Sequence, residues 1–289
     1  MTHHPFTCTG NQIEQDVIEA CSVLNFSRHQ AETTATAMAQ TAAYIRSHHQ
    51  HVLCYVPFNN IIEASAWGAV LKQPQGHLGF RISTPAYTRP EDLLAVPEPQ
   101  WQKGIGGTVL QSLEILKRQG EFLSLHVLGP FTVLTMLVDL STCFKAWRTK
   151  PTIFWQVLSR LSKSICLYSQ QAAQAGAAII SYADPLNAVM ILGPKRFNEL
   201  AEHHTLPFLQ SLWVSVQRYS ILHLCGHLSS DLEASSLGHS TPLQTADSTY
   251  DAALYHVYHC AQPPYPMLGN HCIHAFRGQD SSILYEFHL

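Results

Sequence analysis

The sequence predicts an α/β barrel of repeated strand–helix units, with chemistry at the carboxyl ends of the strands. Three observations carry this reading. Short apolar runs alternate with segments of helical periodicity. The runs stop at Gly, Pro or Asn turns followed by polar residues. No Pro-, Ser- or charge-rich spacer divides the chain, so residues 1–289 are read as one domain. A doubly wound sheet would share the rhythm, but no Gly-x-Gly-x-x-Gly follows the first strand.

The elements follow in order. Ala31, Ala35, Met38, Ala42 and Ile45 recur at three- and four-residue steps and predict a helix over 28–47. Residues 52–57 form the first strand, closed by Pro57 and Asn59-Asn60, and a helical element starts at Glu63. Residues 72–107 are an irregular excursion rich in Pro and Gly, which could hide a further strand. A helix over 108–117 ends near Gly120, and residues 122–128 are a strand closed by Gly129-Pro130. Pro151 opens the clearest helix, whose stripe of Phe154, Leu158, Leu161, Ile165, Tyr168 and Ala172 runs to Gly176. A strand over 177–182 delivers Asp184, and a helix near 194–204 precedes a strand over 219–225. A short strand at 243–246, a helix at 250–259 and a strand at 266–269 complete the pattern.

Composition narrows the class. A chain of 289 residues buries roughly three quarters of its unfolded surface and needs no disulfide to hold a core. Its eight cysteines, at positions 8, 21, 54, 143, 166, 225, 260 and 272, follow no short repeating frame. With no apolar run of ~18 residues and no secretory profile, the expectation is a cytoplasmic, reduced protein without a transmembrane segment. Charged residues make up only 13%, the net charge is −3, and no basic run interleaves with aromatics, which argues against nucleic acid as a partner.

His223-Leu-Cys-Gly226 is the sharpest chemical feature. Residues two apart in a strand share a side, so His223 and Cys225 face one cavity, and imidazole with thiolate is half of a zinc coordination set. A packed histidine beside a buried thiol explains the same motif. Cys272, just past another strand, is the candidate third ligand, ahead of His271, His227 and Cys260. Asp184 could orient a ligand or relay a proton, or simply cap a helix. Glu63 could meet the same cavity or favour a helix's first turn. Asp247 and His126 read more readily as structural. Gly104-Ile-Gly-Gly107 lacks the Lys-Ser/Thr ending of a phosphate loop and reads as a turn.

Taken together, several stretches resemble the uroporphyrinogen decarboxylase superfamily. They are Val56–Ala69, Leu128-Gly-Pro-Phe-Thr-Val133, Ala175–Pro185, Ile191-Leu-Gly-Pro194, Ile221-Leu-His-Leu-Cys-Gly226 and Leu268-Gly-Asn270. They look closest to its cobamide-dependent zinc methyltransferases, of the methylcobamide:coenzyme M type. The resemblance implies a (β/α)8 TIM barrel with a deep pocket, a zinc pair at His223 and Cys225, and acidic residues Glu63 and Asp184 nearby. It implies that zinc activates a small thiol such as coenzyme M, whose sulfur attacks the methyl group of a methylated corrinoid protein. The family's third ligand is a cysteine in a later Gly-Cys segment. The expectation here is a barrel shortened at its C-terminus, lacking the last strand, with Cys272 as a substitute from a non-matching position.

Such a gap would expose strand edges and invite covering by a helix or another chain, and a homodimer is expected. The decarboxylase branch is the alternative. It would need a basic pocket from Arg81, Arg89 and Arg148, since Arg28 and Arg46 stand isolated. A third reading is a degenerate barrel that binds a corrinoid or tetrapyrrole without turning it over.

Overall fold

Helices α1 (Gly10–Leu24), α2 (Arg28–Thr33) and α3 (Ala35–His48) precede the first strand, β1 (Leu53–Val56). This is a computed structural model that describes residues 10–75, 78–273 and 283–289. The single helix expected over 28–47 is broken at Thr34, which is extended at φ −120°. Ser27 starts α2 with a reciprocal cap. Its Oγ accepts the Gln30 N–H at 3.1 Å, and Gln30 Oε1 accepts the Ser27 N–H at 2.8 Å.

After α4 (Ile62–Ala66), β2 (Val70–Lys72) and β3 (Arg81–Thr84) pair as a separate antiparallel hairpin. The excursion therefore holds strands, but none joins the main sheet. Helix α5 (Gly104–Arg118) takes Gly104-Ile-Gly-Gly107 as its own first turn. A Cβ on Gly107 would collide with the Gln102 backbone, so the glycines serve close packing rather than a phosphate.

Strand β4 (Phe122–Leu128) leads into α6 (Pro130–Leu137), α7 (Leu140–Thr149) and α8 (Pro151–Ala175). Strand β5 (Ile179–Ala183) is followed by α9 (Val189–Leu192) and α10 (Pro194–Leu200). A π turn over Ala201–Thr205 joins α10 to α11 (Leu206–Val216), so helix continues past the expected end at 204. Strand β6 (Ile221–Cys225), α12 (Gly226–Ala234), β7 (His239–Gln244), α13 (Tyr250–Cys260), β8 (Met267–His271) and β9 (Ile283–His288) complete the order.

The main sheet runs β1-β4-β5-β6-β8-β9-β7. Its first five strands are parallel, and β9 pairs antiparallel with both β8 and β7. This is the strand–helix architecture expected from the sequence, with one difference. The short strand expected at 243–246 is longer, starts earlier, and belongs to an antiparallel pair with β9, which periodicity did not mark. Among the described residues no pairing links β7 back to β1.

The two faces of the sheet bury different partners. Leu123, Leu125, Val127, Ile180, Leu222 and Leu224 join the large core beneath the outer helices, where α3, α5, α8 and α11 pack side by side. Leu53, Phe122, Ile179, Ile221, Leu268 and Leu284 alternate with them and pack against Tyr250, Ala253, Leu254 and Val257 of α13. A helix thus fills the inner face. It also reaches the sheet's first edge: the Val52 N–H, at the head of β1, donates to Asp251 Oδ2 at 2.6 Å. At that point the edge is met by a helix of this chain, one of the two coverings expected.

Candidate functional site

A cavity of about 780 Å³ opens at the carboxyl ends of the parallel strands. Pro57 to Asn60 wall it after β1, His126 from β4, Ser181 and Ala183 to Pro185 from β5, Cys225 from β6, and Cys272 and Ile273 just past β8. Ile13 of α1, Arg28 of α2 and residues 78–81 cover it. Strand ends converge here because β4, β5 and β6 run parallel and in register, with His126 beside Ser181 and Ser181 beside His223.

Asp184 stands on the cavity wall, 5% exposed. Its Oδ1 accepts the Thr132 N–H at 2.8 Å and the Thr132 hydroxyl at 2.5 Å, and its Oδ2 accepts the Tyr182 hydroxyl at 3.3 Å. Burial pushes its pKa up to about 6, against the opposing pull of the Thr132 bonds. Both readings of this residue meet in one side chain, because the carboxylate that lines the cavity also caps the first turn of α6.

Glu63 is not among the cavity-lining residues. It is buried in the first turn of α4, where Oε1 accepts the Leu128 N–H at 3.0 Å and so holds the end of β4 from behind. Desolvation raises its pKa to about 7. Of its two readings, the place in a helix's first turn is the one seen, and its contact is with the strand that carries the cavity's wall.

The three candidate metal donors are divided. Cys225 and Cys272 both line the cavity, and Cys225 pairs in register with His271, the neighbour of Cys272. His223 lies one layer deeper, fully buried, with Nε2 2.7 Å from the Tyr250 hydroxyl and Nδ1 without a hydrogen-bond partner. Burial, then His271 and His126, lower its pKa to about 3, so the ring is neutral at physiological pH. A neutral imidazole with one nitrogen held and the other unpartnered, beside two thiols, fits a thiophilic divalent ion in its chemistry. Among the described residues, however, no group of three or more His, Cys, Asp or Glu stands close enough to hold a metal. The expected trio is a set of parts on adjoining strands, not an assembled three-ligand site.

The remaining candidates separate cleanly. His126 and His227 line the cavity, and burial lowers the pKa of His126 to about 4. Asp247 lies outside it, 3.8 Å from His256 Nδ1, and Cys260 is exposed at the end of α13. Cys8 falls outside the described residues, and the other seven cysteines are not joined in disulfides. Of the arginines required by a polyanion pocket, only Arg81 lines the cavity, while Arg89 is paired with Asp92 at 3.0 Å. Arg28 also lines it, but Glu32 at 2.7 Å and Glu14 at 3.4 Å offset its charge.

Two residues were not legible as part of the site. Tyr250 holds His223 from 27 positions away, and Thr132 holds Asp184 from 52 positions away. No described helix is long and apolar enough to cross a membrane.

Comparison with known proteins places this geometry. The family model "Uroporphyrinogen decarboxylase (URO-D)" matches residues 15–252. Two methylcobamide:CoM methyltransferases named MtaA are similar over 181 residues. One, from Methanosarcina barkeri, is 26% identical, and the other, from its strain Fusaro, is 24% identical. Each match covers 61% of this chain and 52% of the relative, so the chain spans about half the length of the curated relatives it matches. A solved methyltransferase from Methanosarcina mazei superposes with a TM-score of 0.65 at 22% identity, over 74% of this chain and 64% of that one. That likeness is one of fold.

Proposed function

This chain belongs to the uroporphyrinogen decarboxylase (URO-D) family, and from that premise we propose that it is a cytoplasmic methyltransferase. It moves a methyl group from a methylated corrinoid, carried by a partner protein, to a small thiol. The observation that supports this reading best is the pair of thiols, Cys225 and Cys272, on one wall of a strand-end cavity with His223 directly below Cys225. The similarity to relatives named for methylcobamide and CoM supplies the substrate class.

In the proposed reaction the acceptor thiol loses its proton and its sulfur attacks the methyl carbon. A carbon–sulfur bond forms as the carbon–cobalt bond breaks, with the bonding pair left on cobalt. Zinc, held by His223, Cys225 and Cys272, would supply Lewis acidity that keeps the acceptor as thiolate at neutral pH. Asp184, with its pKa raised to about 6, is the wall carboxylate placed to accept the thiol proton. Phe58, Leu228 and Ile273 give the cavity apolar walls that limit water around the attacking sulfur. Glu63 acts at one remove, by holding Leu128.

The test is loss of methylcobalamin absorbance in the presence of 2-mercaptoethanesulfonate, together with metal analysis of protein purified without a histidine tag. His223→Ala and Cys225→Ser should lose both zinc and turnover; full retention of zinc in both variants overturns the site assignment. The same samples, offered uroporphyrinogen without metal, examine the decarboxylase alternative, which the paired Arg28 and Arg89 disfavour. Binding of a corrinoid with no transfer to any thiol would mark the non-catalytic reading. Pairing of two copies into a homodimer is part of the same proposal, and a monomer by sedimentation at micromolar concentration overturns it.

A further inference from the structure

We infer that Tyr250 is a positioning residue for His223: its phenol oxygen accepts the Nε2–H, leaving Nδ1 as the ring nitrogen offered to a metal. The inference rests on the proposed half-site of His223 and Cys225 on β6 and adds a member to it that comes from α13.

The geometry is specific. The Tyr250 hydroxyl lies 2.7 Å from His223 Nε2, with the two rings near-perpendicular at 76°. Both residues are buried, at 2% and 0% exposure, so no solvent competes for the bond. Tyr250 has little freedom to leave. Its ring stacks on His271 at 4.6 Å and 16°, and His271 stacks in turn on Tyr285 of β9. Its neighbour Asp251 anchors the same turn of α13 to β1 through the Val52 N–H. One side chain therefore touches the β6 histidine and packs on the residue next to Cys272.

A neutral imidazole carries one N–H and one lone pair. With Nε2 facing the phenol, the other nitrogen is buried and has no partner in the protein. Were the proton on Nδ1, the ring would bury an N–H donor with no acceptor. With the proton on Nε2, the phenol receives it, Nδ1 keeps a lone pair, and the phenol's own O–H is left to face Cys272, whose charge acts on it. A histidine whose second nitrogen is fixed by a partner is the usual form of a metal-ligating ring.

Histidine-labelled ¹⁵N NMR on chelator-treated, tag-free protein reads the tautomer directly, with the His223 signals identified by their loss in His223→Gln. Nε2 protonated and Nδ1 bare is the expected result, and the opposite tautomer overturns the inference. Tyr250→Phe keeps the ring and its stacking and deletes only the hydroxyl. Its affinity for Co²⁺, followed by the thiolate-to-cobalt absorption band, should fall about 10- to 100-fold. Affinity within twofold of wild type would overturn the positioning role. If wild type binds no Co²⁺ while the tautomer is as expected, the half-site reading fails and the assignment of the Nε2 proton to the Tyr250 contact stands.

Discussion

Thr132 and Asp184, 52 residues apart in the chain, share two hydrogen bonds that fasten the start of α6 to the exit of β5. The Thr132 hydroxyl also accepts the Leu186 N–H at 3.1 Å, so the loop after β5 closes on the same side chain. Gly129, which precedes α6, donates its N–H to the Ala183 carbonyl at 2.8 Å. Two neighbouring strand ends are thereby held together at the cavity wall, and a carboxylate is fixed there at the same time.

That junction leaves no room at Gly129. A Cβ on Gly129 would sit inside the Asp184 side chain. Gly129→Ala should therefore destabilise the fold by about 2–3 kcal/mol, as overpacking does. Asp184→Ala should cost a comparable amount, by removing a cap and leaving the Thr132 donors unpaired. The double variant should lose somewhat less than the sum, because the Asp184 Cγ and Oδ2 that the added methyl group meets are gone, although the Cβ contact stays. Urea unfolding of all four proteins checks this; strict additivity would show that the two residues do not meet.

Glu63 makes stability depend on pH with a sign set by its burial. Its folded pKa of about 7 lies above the ordinary value of 4.5, so the folded state holds the proton more tightly than the unfolded state. The stabilisation is complete below about pH 4.5 and is lost as pH rises through 7. A shift of this size corresponds to at most about 3 kcal/mol. Glu63→Gln stays neutral and still offers an oxygen to the Leu128 N–H. It should match wild type near pH 5 and exceed it at pH 8. A difference between the two that does not change with pH would show that Glu63 does not titrate in this window.

The parallel part of the fold was legible because its strands are buried on both faces. Residues 122–128 and 177–182 read as largely apolar runs, interrupted by Ser124, His126 and Ser181, and β4 and β5 occupy Phe122–Leu128 and Ile179–Ala183. Strand β9 was not, because its burial is sparse and does not alternate: Leu284 and Phe287, three apart and so on opposite faces, are buried while Tyr285, Glu286 and His288 are partly exposed, and its register is set by β7 and β8. In the site, Asp184 was legible from its position at a strand's exit and Cys225 from its spacing to His223. Tyr250 carried no such signal, since an aromatic at the head of an amphipathic helix ordinarily means core packing. Its contact with His223 exists only because α13 turns inward onto the sheet, a tertiary fact with no local signature. Glu63 kept two readings for a related reason: a strand-proximal acid looks the same whether it faces the cavity or the back of the next strand.

The inward turn of α13 makes its own energetic claim. Leu254 is fully buried against the inner face of the sheet, in the cluster containing Leu53, Phe122, Ile179, Ile221 and Leu268. Phe122, Ile179, Ile221 and Leu268 cannot follow a truncated side chain, because β4, β5, β6 and β8 are each held by a neighbour on both sides. Leu254→Ala should therefore leave a cavity and cost about 3–5 kcal/mol, toward the upper end for a leucine. The effect should reach beyond α13. Tyr250 is on the same helix, one turn earlier, so loosening α13 should raise hydrogen exchange at Val52, whose N–H is tied to Asp251. An exposed position supplies the control: Tyr255→Ala, on the same helix but 43% exposed, should cost much less. Equal losses at the two positions would mean that α13 packs against the sheet's edge and not on its inner face.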